Sequence, residues 1–323
     1  MRLLRELTGN ELAPGSQVAI GNFDGVHRGH QQIVAELVSR ARDAGVQAVA
    51  VTFDPHPIAL LRPGLAPPLL STIEDRAAWL GDLGVDILVA MPTTADLLAL
   101  DPREFFEQVV VGQLGVAGMV EGPNFCFGRD RAGGVDVLAE LCGEAGVSLQ
   151  IVDGRTVDGD LVSSSRIRAC LEEGDVTGAA CLLGRNHSVS GTVVQGAGRG
   201  REMGVPTANV GQVPTMLPAD GVYAGAVEWE GMRYPAAAHV GANPTFSESG
   251  ASLEVHLLAF DGDLYGSHLR MSFLDRIRGT RTFESVEALK QQLAEDIEAV
   301  WRLVADETAG SGATGGAPAG PLS

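Results

Sequence analysis

The sequence predicts an α/β protein in two parts, a doubly wound parallel-sheet domain followed by a small antiparallel β-barrel domain with a C-terminal helix. Three observations carry this. As far as Leu183, apolar strand-like runs alternate with helical patterns and no hairpin intervenes, which is the grammar of a parallel sheet covered on both faces. From Gly191 the pattern changes to short β-like pieces separated by glycine and proline, with no amphipathic helix until Ser285. The chain has 323 residues, 45% of them apolar and 20% charged, enough for two globular cores. The expected domains are 1–184 and 185–305, with 306–323 as a disordered tail of Gly, Ala, Pro and Ser.

Val18-Ala19-Ile20 reads as the first strand, and Gln31 to Ala44 as a helix ended by a Gly45 cap. Val46 to Phe53 is a valine-rich strand running into Asp54-Pro55-His56-Pro57. Ser71 to Glu74 reads as a capping box opening the helix that carries Trp79 and Leu80, with a strand over Asp86 to Met91 after it. Asp101-Pro102-Arg103-Glu104 opens a helix through Phe105, Phe106, Val109 and Val110. A strand near Ala117 to Val120, a helix over Val135 to Ala145 and a strand over Val147 to Val152 follow. Further helices begin at Ser163 and Asp175. In the second part Thr192 to Gln195, Gly221 to Trp229, Ala236 to Gly241, Leu253 to Phe260 and Leu269 to Leu274 read as strands. Val286, Leu289, Leu293, Ile297, Val300 and Val304 form an apolar stripe that should pack on this domain.

Between the first strand and first helix lies Gly21-Asn22-Phe23-Asp24-Gly25-Val26-His27-Arg28-Gly29-His30. Residues three apart on a first helical turn share a face, so His27 and His30 can address one ligand, and Gly29 leaves room for it. The helix N-terminus is an anion site suited to a nucleotide phosphate. Satisfied polar histidines, or half a metal site, are the plainer alternatives. The prolines around His56 stiffen a loop at the strand end where open α/β sheets bind ligands, or simply make a rigid turn. Ser163-Ser164-Ser165-Arg166-Ile167-Arg168 can hold phosphate oxygens at a helix start, or be an ordinary cap with solvated arginines.

In the second part, the glycines of Gln195 to Asn209, among them Gly198 and Gly200, would let backbone N–H groups approach phosphates. Thr207 and Asn209 offer neutral oxygens suited to Mg²⁺. A glycine-rich hairpin is the alternative. Strand alternation puts Glu254 and His256 on one face and Leu253, Val255 and Leu257 on the other, making Glu254 a candidate general base if its face lines a cleft.

A net charge of −18 argues against a nucleic-acid partner. Lys290 is the sole lysine, which removes a Walker A loop, Schiff-base chemistry and pyridoxal phosphate. The first turn lacks GxGxxG, against a dehydrogenase. The four cysteines have no CxxC spacing, no apolar run reaches membrane-spanning length, and the N-terminus lacks a signal-peptide core, so a cytoplasmic protein with reduced thiols is expected. Oligomeric state is not legible.

The HxGH run resembles the signature of nucleotidyltransferases that move an adenylyl group from ATP. With GNFDGVHRGH stand TFDPHP, EGPNFCFG and SSSRIR, then GRGREMGVPTANV, LPADGVYAG, VGANPTF and LEVHLLAFDGDLYG. In this order they resemble the bacterial bifunctional riboflavin kinase/FAD synthetase family from Val18 to about Val304. The resemblance implies a first domain that adenylylates FMN to FAD and a six-stranded barrel that phosphorylates riboflavin to FMN, both with ATP and Mg²⁺. It implies ATP contacts at His27, His30, Gly21, Phe23, Asp24, Gly29, Asn124, Ser164, Ser165, Arg166 and Arg168. The flavin would lie beside Phe53, Asp54, Pro55, His56, Pro57 and Phe125. In the barrel it implies phosphate and metal residues at Gly198, Gly200, Thr207 and Asn209, and a catalytic base at Glu254. The chain departs from the family at Asn186-His187 and at Thr280. An adenylyltransferase for another acceptor with an accessory barrel, or a flavin-binding sensor without turnover, are the alternatives.

Overall fold

The computed structural model describes residues 1–7, 9, 11–196, 204–242 and 251–311. They form two compact units, Met1–Ser164 and Ser165–Ser323.

In the first unit a six-stranded parallel sheet has the order β1-β4-β3-β2-β5-β6, built from β1 (Arg2–Leu4), β2 (Gln17–Ile20), β3 (Ala48–Asp54), β4 (Ile87–Pro92), β5 (Gly118–Glu121) and β6 (Ser148–Ile151). Helices α1 (Arg28–Ala44) and α3 (Ile73–Asp82) bury Val34, Leu37, Ala41, Ala77 and Leu80 on one face against Ala19, Ala48, Ala50 and Leu88. On the other face Phe106, Val109, Val110, Leu138 and Leu141 cover Val18, Val49, Val51 and Val89. Alternate residues of each strand thus enter different cores, which is why the strands read as continuous apolar runs. Strand order reverses between β2 and β5, so the crevice at their C-terminal ends is the topological switch point where such sheets bind ligands.

The structure adds the short edge strand β1, paired with β4 through Arg2↔Ile87, ahead of the strand expected to be first. The capping box lies one residue later than expected, with the Thr72 and Asp75 side chains exchanging bonds. Asp101 and Glu104 do cap α5 (Pro102–Phe105), but the helix continues as a π-helix over Phe106–Gln113 through the β-branched run Val109-Val110-Val111. Short helices α2 (Pro57–Leu61) and α4 (Ala95–Ala99), α6 (Val135–Ala145), and a small β7–β8 hairpin (Thr156–Val157, Asp160–Leu161) complete the unit.

In the second unit α7 (Ser164–Glu173) and α8 (Val176–Leu183) precede a closed antiparallel barrel of order β10-β13-β12-β11-β14-β9. The strands are β9 (Ser188–Val194), β10 (Ala208–Gly211), β11 (Gly221–Trp229), β12 (Met232–Ala242), β13 (Ala251–Leu257) and β14 (His268–Arg278). The compact units divide at Ser164/Ser165, so α7 and α8 are grouped with the barrel. The Ala219 N–H donates to the Leu171 carbonyl, and the Arg276 guanidinium donates to those of Glu173 and Asp220.

Helix α9 (Val286–Ser311) buries Val300 and Val304 against Ala224, Ala226, Leu258 and Leu274. The stripe is not buried along its whole length: Val286 at its start is 56% exposed, and Leu289 and Leu293 are half-buried. Residues 306–311, expected to start the tail, continue this helix, and Glu307 bonds Asn186 and Arg233; the rest of the expected tail lies outside the described residues. Asn186 and His187 are also built into this unit, the His187 ring bonding the Met216 carbonyl and stacking on Phe273.

Candidate functional site

The first site is the turn at the C-terminal end of β2. The Gly21 N–H donates to the Val51 carbonyl, and the chain then reverses through positive φ at Phe23 (+47°), Gly25 (+80°) and Val26 (+39°). For a β-branched residue that conformation is strained, and full burial of Val26 helps hold it.

Asp24 is 2% exposed, and its carboxylate faces inward. Its carboxylate accepts from the Leu70 and Ser71 N–H groups, the Ser71 hydroxyl and the Arg76 guanidinium at 3.0–3.1 Å. Arg76 also reaches Thr52, whose hydroxyl donates to the Asn22 carbonyl. Ser71 caps the Gly25 N–H, and the Ser164 hydroxyl donates to the Asp24 carbonyl. Buried charge survives only when paired and hydrogen-bonded, and here the pairing shapes the turn. The carboxylate of Asp24 therefore holds the shape of the turn.

His27 is the N-cap of α1, its Nδ1 accepting from the His30 N–H at 3.3 Å. Nδ1 as acceptor places the proton of the neutral ring on Nε2, which is left as the donor. The two rings stack with centroids 3.6 Å apart, and Phe23 meets His30 edge-on at 5.2 Å. A Cβ on Gly29 would stand 3.2 Å from the His27 ring, so glycine there lets the imidazole lie against the helix start. His56 caps α2 in the same way through the Ile58 N–H. Thr93 donates to the Pro55 carbonyl, and Arg5 bridges Asp54 and Glu74. Phe53 and Phe125 both pack at the margin of the apolar core on the π-helix side; a separate cavity of about 410 Å³ is lined by Met91, Leu97, Leu100 and Val109 together with the polar Glu6, Asp96, Gln108 and Gln113. Asn124 stands exposed in the turn closed by Phe125 and Gly122. Ser165, Arg166 and Arg168 follow on α7, in the second unit, with Arg168 buried.

Glu121 ends β5 at the switch point and accepts the Ile20 N–H at 2.8 Å where β2 and β5 diverge. It is 3% exposed, and burial pushes its carboxyl well above the usual range against the opposing pull of that bond. Between the ordinary carboxylate value near 4.5 and the raised one, the folded chain holds a proton that the unfolded chain releases, so stability falls as pH rises through that window. Glu121→Gln keeps an acceptor for Ile20 without that loss. The variant is expected to exceed the parent in urea midpoint at pH 8 and to match it near pH 4; a lower midpoint at pH 8 would show the carboxylate ionised and used.

The barrel site is a row across three strands. Asn209 of β10 is paired with Glu254 of β13, and Glu254 with His239 of β12. Laterally paired residues point to one face. Leu253, Val255 and Leu257 are buried while Glu254 and His256 are half-buried, so the expected alternation holds. A Cβ on Gly196 would stand 2.1 Å from the Asn209 amide, so only glycine lets that side chain lie where it does. His256 Nδ1 stands 2.7 Å from the Pro206 carbonyl, and burial lowers its pKa against that bond's opposing effect. Gly198 and Gly200 lie outside the described residues. The sequence reading missed Arg76, Glu121 and His239; only Glu121, a carboxylate closing a buried apolar run, carried a visible signal.

Two family models match the chain, FAD synthetase over residues 10–166 and riboflavin kinase over 183–304. A bifunctional riboflavin kinase/FMN adenylyltransferase of Pseudomonas fluorescens is 38% identical over 94% of this chain and 98% of its own. The chain belongs to the bifunctional riboflavin kinase/FMN adenylyltransferase family. The member from Escherichia coli K12 is 33% identical over 92% of this chain and 96% of its own. A crystal structure from Streptococcus pneumoniae, described as a macrolide-efflux protein, covers 93% of this chain and 99% of its own at 30% identity and a TM-score of 0.83. No described helix of the present chain is long and apolar enough to cross a membrane. The family models leave residues 167–182, most of α7 and α8, to neither module.

Proposed function

We propose that the α/β unit transfers an adenylyl group from ATP to FMN, giving FAD and pyrophosphate, and that the barrel transfers the γ-phosphoryl of ATP to riboflavin, giving FMN and ADP. The observation that carries this is the disposition of carboxylates. In the nucleotide turn the carboxylate of Asp24 is spent on buried partners, whereas in the barrel Glu254 stands half-exposed beside Asn209. The FMN phosphate is already an anionic nucleophile, so its attack on the α-phosphorus needs positioning and charge stabilisation alone. A ribityl hydroxyl benefits from a base, and Glu254 is the group to accept its proton as oxygen attacks the γ-phosphorus.

In the first reaction His27 and His30, with Gly21, Phe23 and Gly29 shaping the turn, face the triphosphate at the positive end of α1. Asn124, Ser164, Ser165, Arg166 and Arg168 are assigned to the same nucleotide. The flavin is assigned, through the resemblance, to Phe53, Asp54, Pro55, His56, Pro57 and Phe125, at and after the C-terminal ends of β3 and β5. In the barrel Thr207 and Asn209 would hold Mg²⁺. Their neutral hard oxygens beside a carboxylate fit an ion usually held by few protein oxygens together with substrate phosphates. When bound, Mg²⁺ supplies charge neutralisation of the phosphates. Gly198 and Gly200 are assigned to phosphate through the resemblance alone. A cytoplasmic enzyme without nucleic-acid partners accords with the strongly acidic composition.

The test is chromatography of flavins after mixing purified protein with ATP, Mg²⁺ and either riboflavin or FMN. FAD is expected from both. FAD from FMN alone would remove the kinase assignment, and no product from either would favour a flavin-binding protein without turnover or another adenylyl acceptor.

A further inference from the structure

We propose that His256 is a positioning residue for riboflavin phosphorylation, holding the Pro206 carbonyl so that Thr207 and Asn209 stand in register with Glu254. The inference rests on the kinase reading of the barrel. It begins from a weakness in the fold. The glycine-rich connection from β9 re-enters the barrel at residues 204–207, which lie outside any strand, and β10 is only four residues long. Its pairing with β13 runs Val210↔Leu253, Asn209↔Glu254 and Ala208↔Val255. One step further would place Thr207 opposite His256, yet the ladder has stopped. Proline has no N–H to extend it, so the carbonyl of Pro206 is its one polar backbone group.

His256 takes up that carbonyl at 2.7 Å through Nδ1. A carbonyl only accepts, so the proton is on Nδ1. The imidazole does from the side chain what the backbone ladder cannot, two residues from Glu254 on the same face of the same strand. It fastens the last residue before Thr207, at the point where the glycine connection meets the sheet. Outer partners that orient ligating residues affect metal affinity by about 10- to 100-fold without touching the ion.

The geometry sets a discriminating series. The amide nitrogen of Asn stands near the place of Nδ1, whereas that of Gln stands nearer the place of Nε2; Leu keeps bulk and removes the donor. In the full chain, His256→Leu is expected to accelerate backbone hydrogen exchange in residues 204–210 and to weaken binding of Mn²⁺ with ADP, followed by electron paramagnetic resonance, by about 10- to 100-fold. Riboflavin phosphorylation should lose mainly in the KM for metal-bound ATP, while FAD formation from FMN is unchanged. His256→Asn should restore most of each and His256→Gln should not. Unchanged exchange and Mn²⁺·ADP binding in the Leu variant, or equal behaviour of Asn and Gln, would overturn the proposal. Should the parent protein make no FMN while exchange and Mn²⁺·ADP binding still follow the series, the kinase reading falls and the anchoring of Thr207 stands.

Discussion

Glu254→Gln is expected to slow FMN formation from riboflavin by about 10²–10⁴-fold, the usual contribution of a positioned general base, and to leave FAD formation from supplied FMN at the parent rate. Gln is nearly isosteric, and the strand is held by Leu253, Val255 and Leu257 on its buried face, so the barrel should keep its fold. The loss should appear in kcat with little change in the KM for ATP, because proton acceptance matters in the transition state and not in binding. The second reaction on the same chain serves as the control for folding and concentration. Equal losses in both reactions would sink the assignment of separate sites.

Why the sequence showed which face Glu254 takes but not that the Asp24 carboxylate is buried is a matter of range. Strand alternation is local, and a carboxylate flanked by Leu253 and Val255 declares its face within three residues. The pairing of Asn209 with Glu254 is not local, but both lie in runs regular enough for a sheet to bring them together. Asp24 sits in a glycine-rich turn next to two histidines, and everything within ten residues says ligand. The buried partner of its carboxylate, Arg76, lies 52 residues away on α3, a helix marked locally by its cap and by Trp79 and Leu80 but by nothing that points to Asp24. Burial of a charge is decided by tertiary contacts, which no window of sequence contains.

The same division runs through the fold. The alternation of apolar runs and helical patterns showed the parallel sheet, because both faces of each strand are buried. Strand β1 escaped notice because three residues at a sheet edge carry no periodicity. Strand β10, Ala-Asn-Val-Gly, has neither alternation nor branched residues beyond Val210, and the sixth barrel strand was expected through the family resemblance alone. The tail was misjudged at its start for a related reason. Composition marks where glycine and proline accumulate, but Ala305 and Glu307 are still good helix formers, and Glu307 finds Arg233 and Asn186.

The histidine pair gives the second large effect, in the opposite reaction. Replacing both His27 and His30 with Ala is expected to reduce FAD formation from FMN by at least about 10²–10³-fold, the cost of removing one donor aimed at developing phosphate charge. Riboflavin phosphorylation should be unaffected. The two singles should not multiply to the double, since the rings stack at 3.6 Å and one caps the turn that carries the other. His27→Ala removes a helix cap as well as a donor, and the lost cap alone costs about 0.5–2 kcal/mol of stability. His27→Asn separates these roles, since Asn caps well but cannot extend an Nε2–H toward a ligand. It should keep the parent melting temperature and lose adenylyl transfer, whereas His30→Ala should leave the cap intact and lose transfer through its own ring. A double variant that still made FAD at the parent rate would place the triphosphate elsewhere than the N-terminus of α1, and the stacked pair would then be a cap and its packing partner.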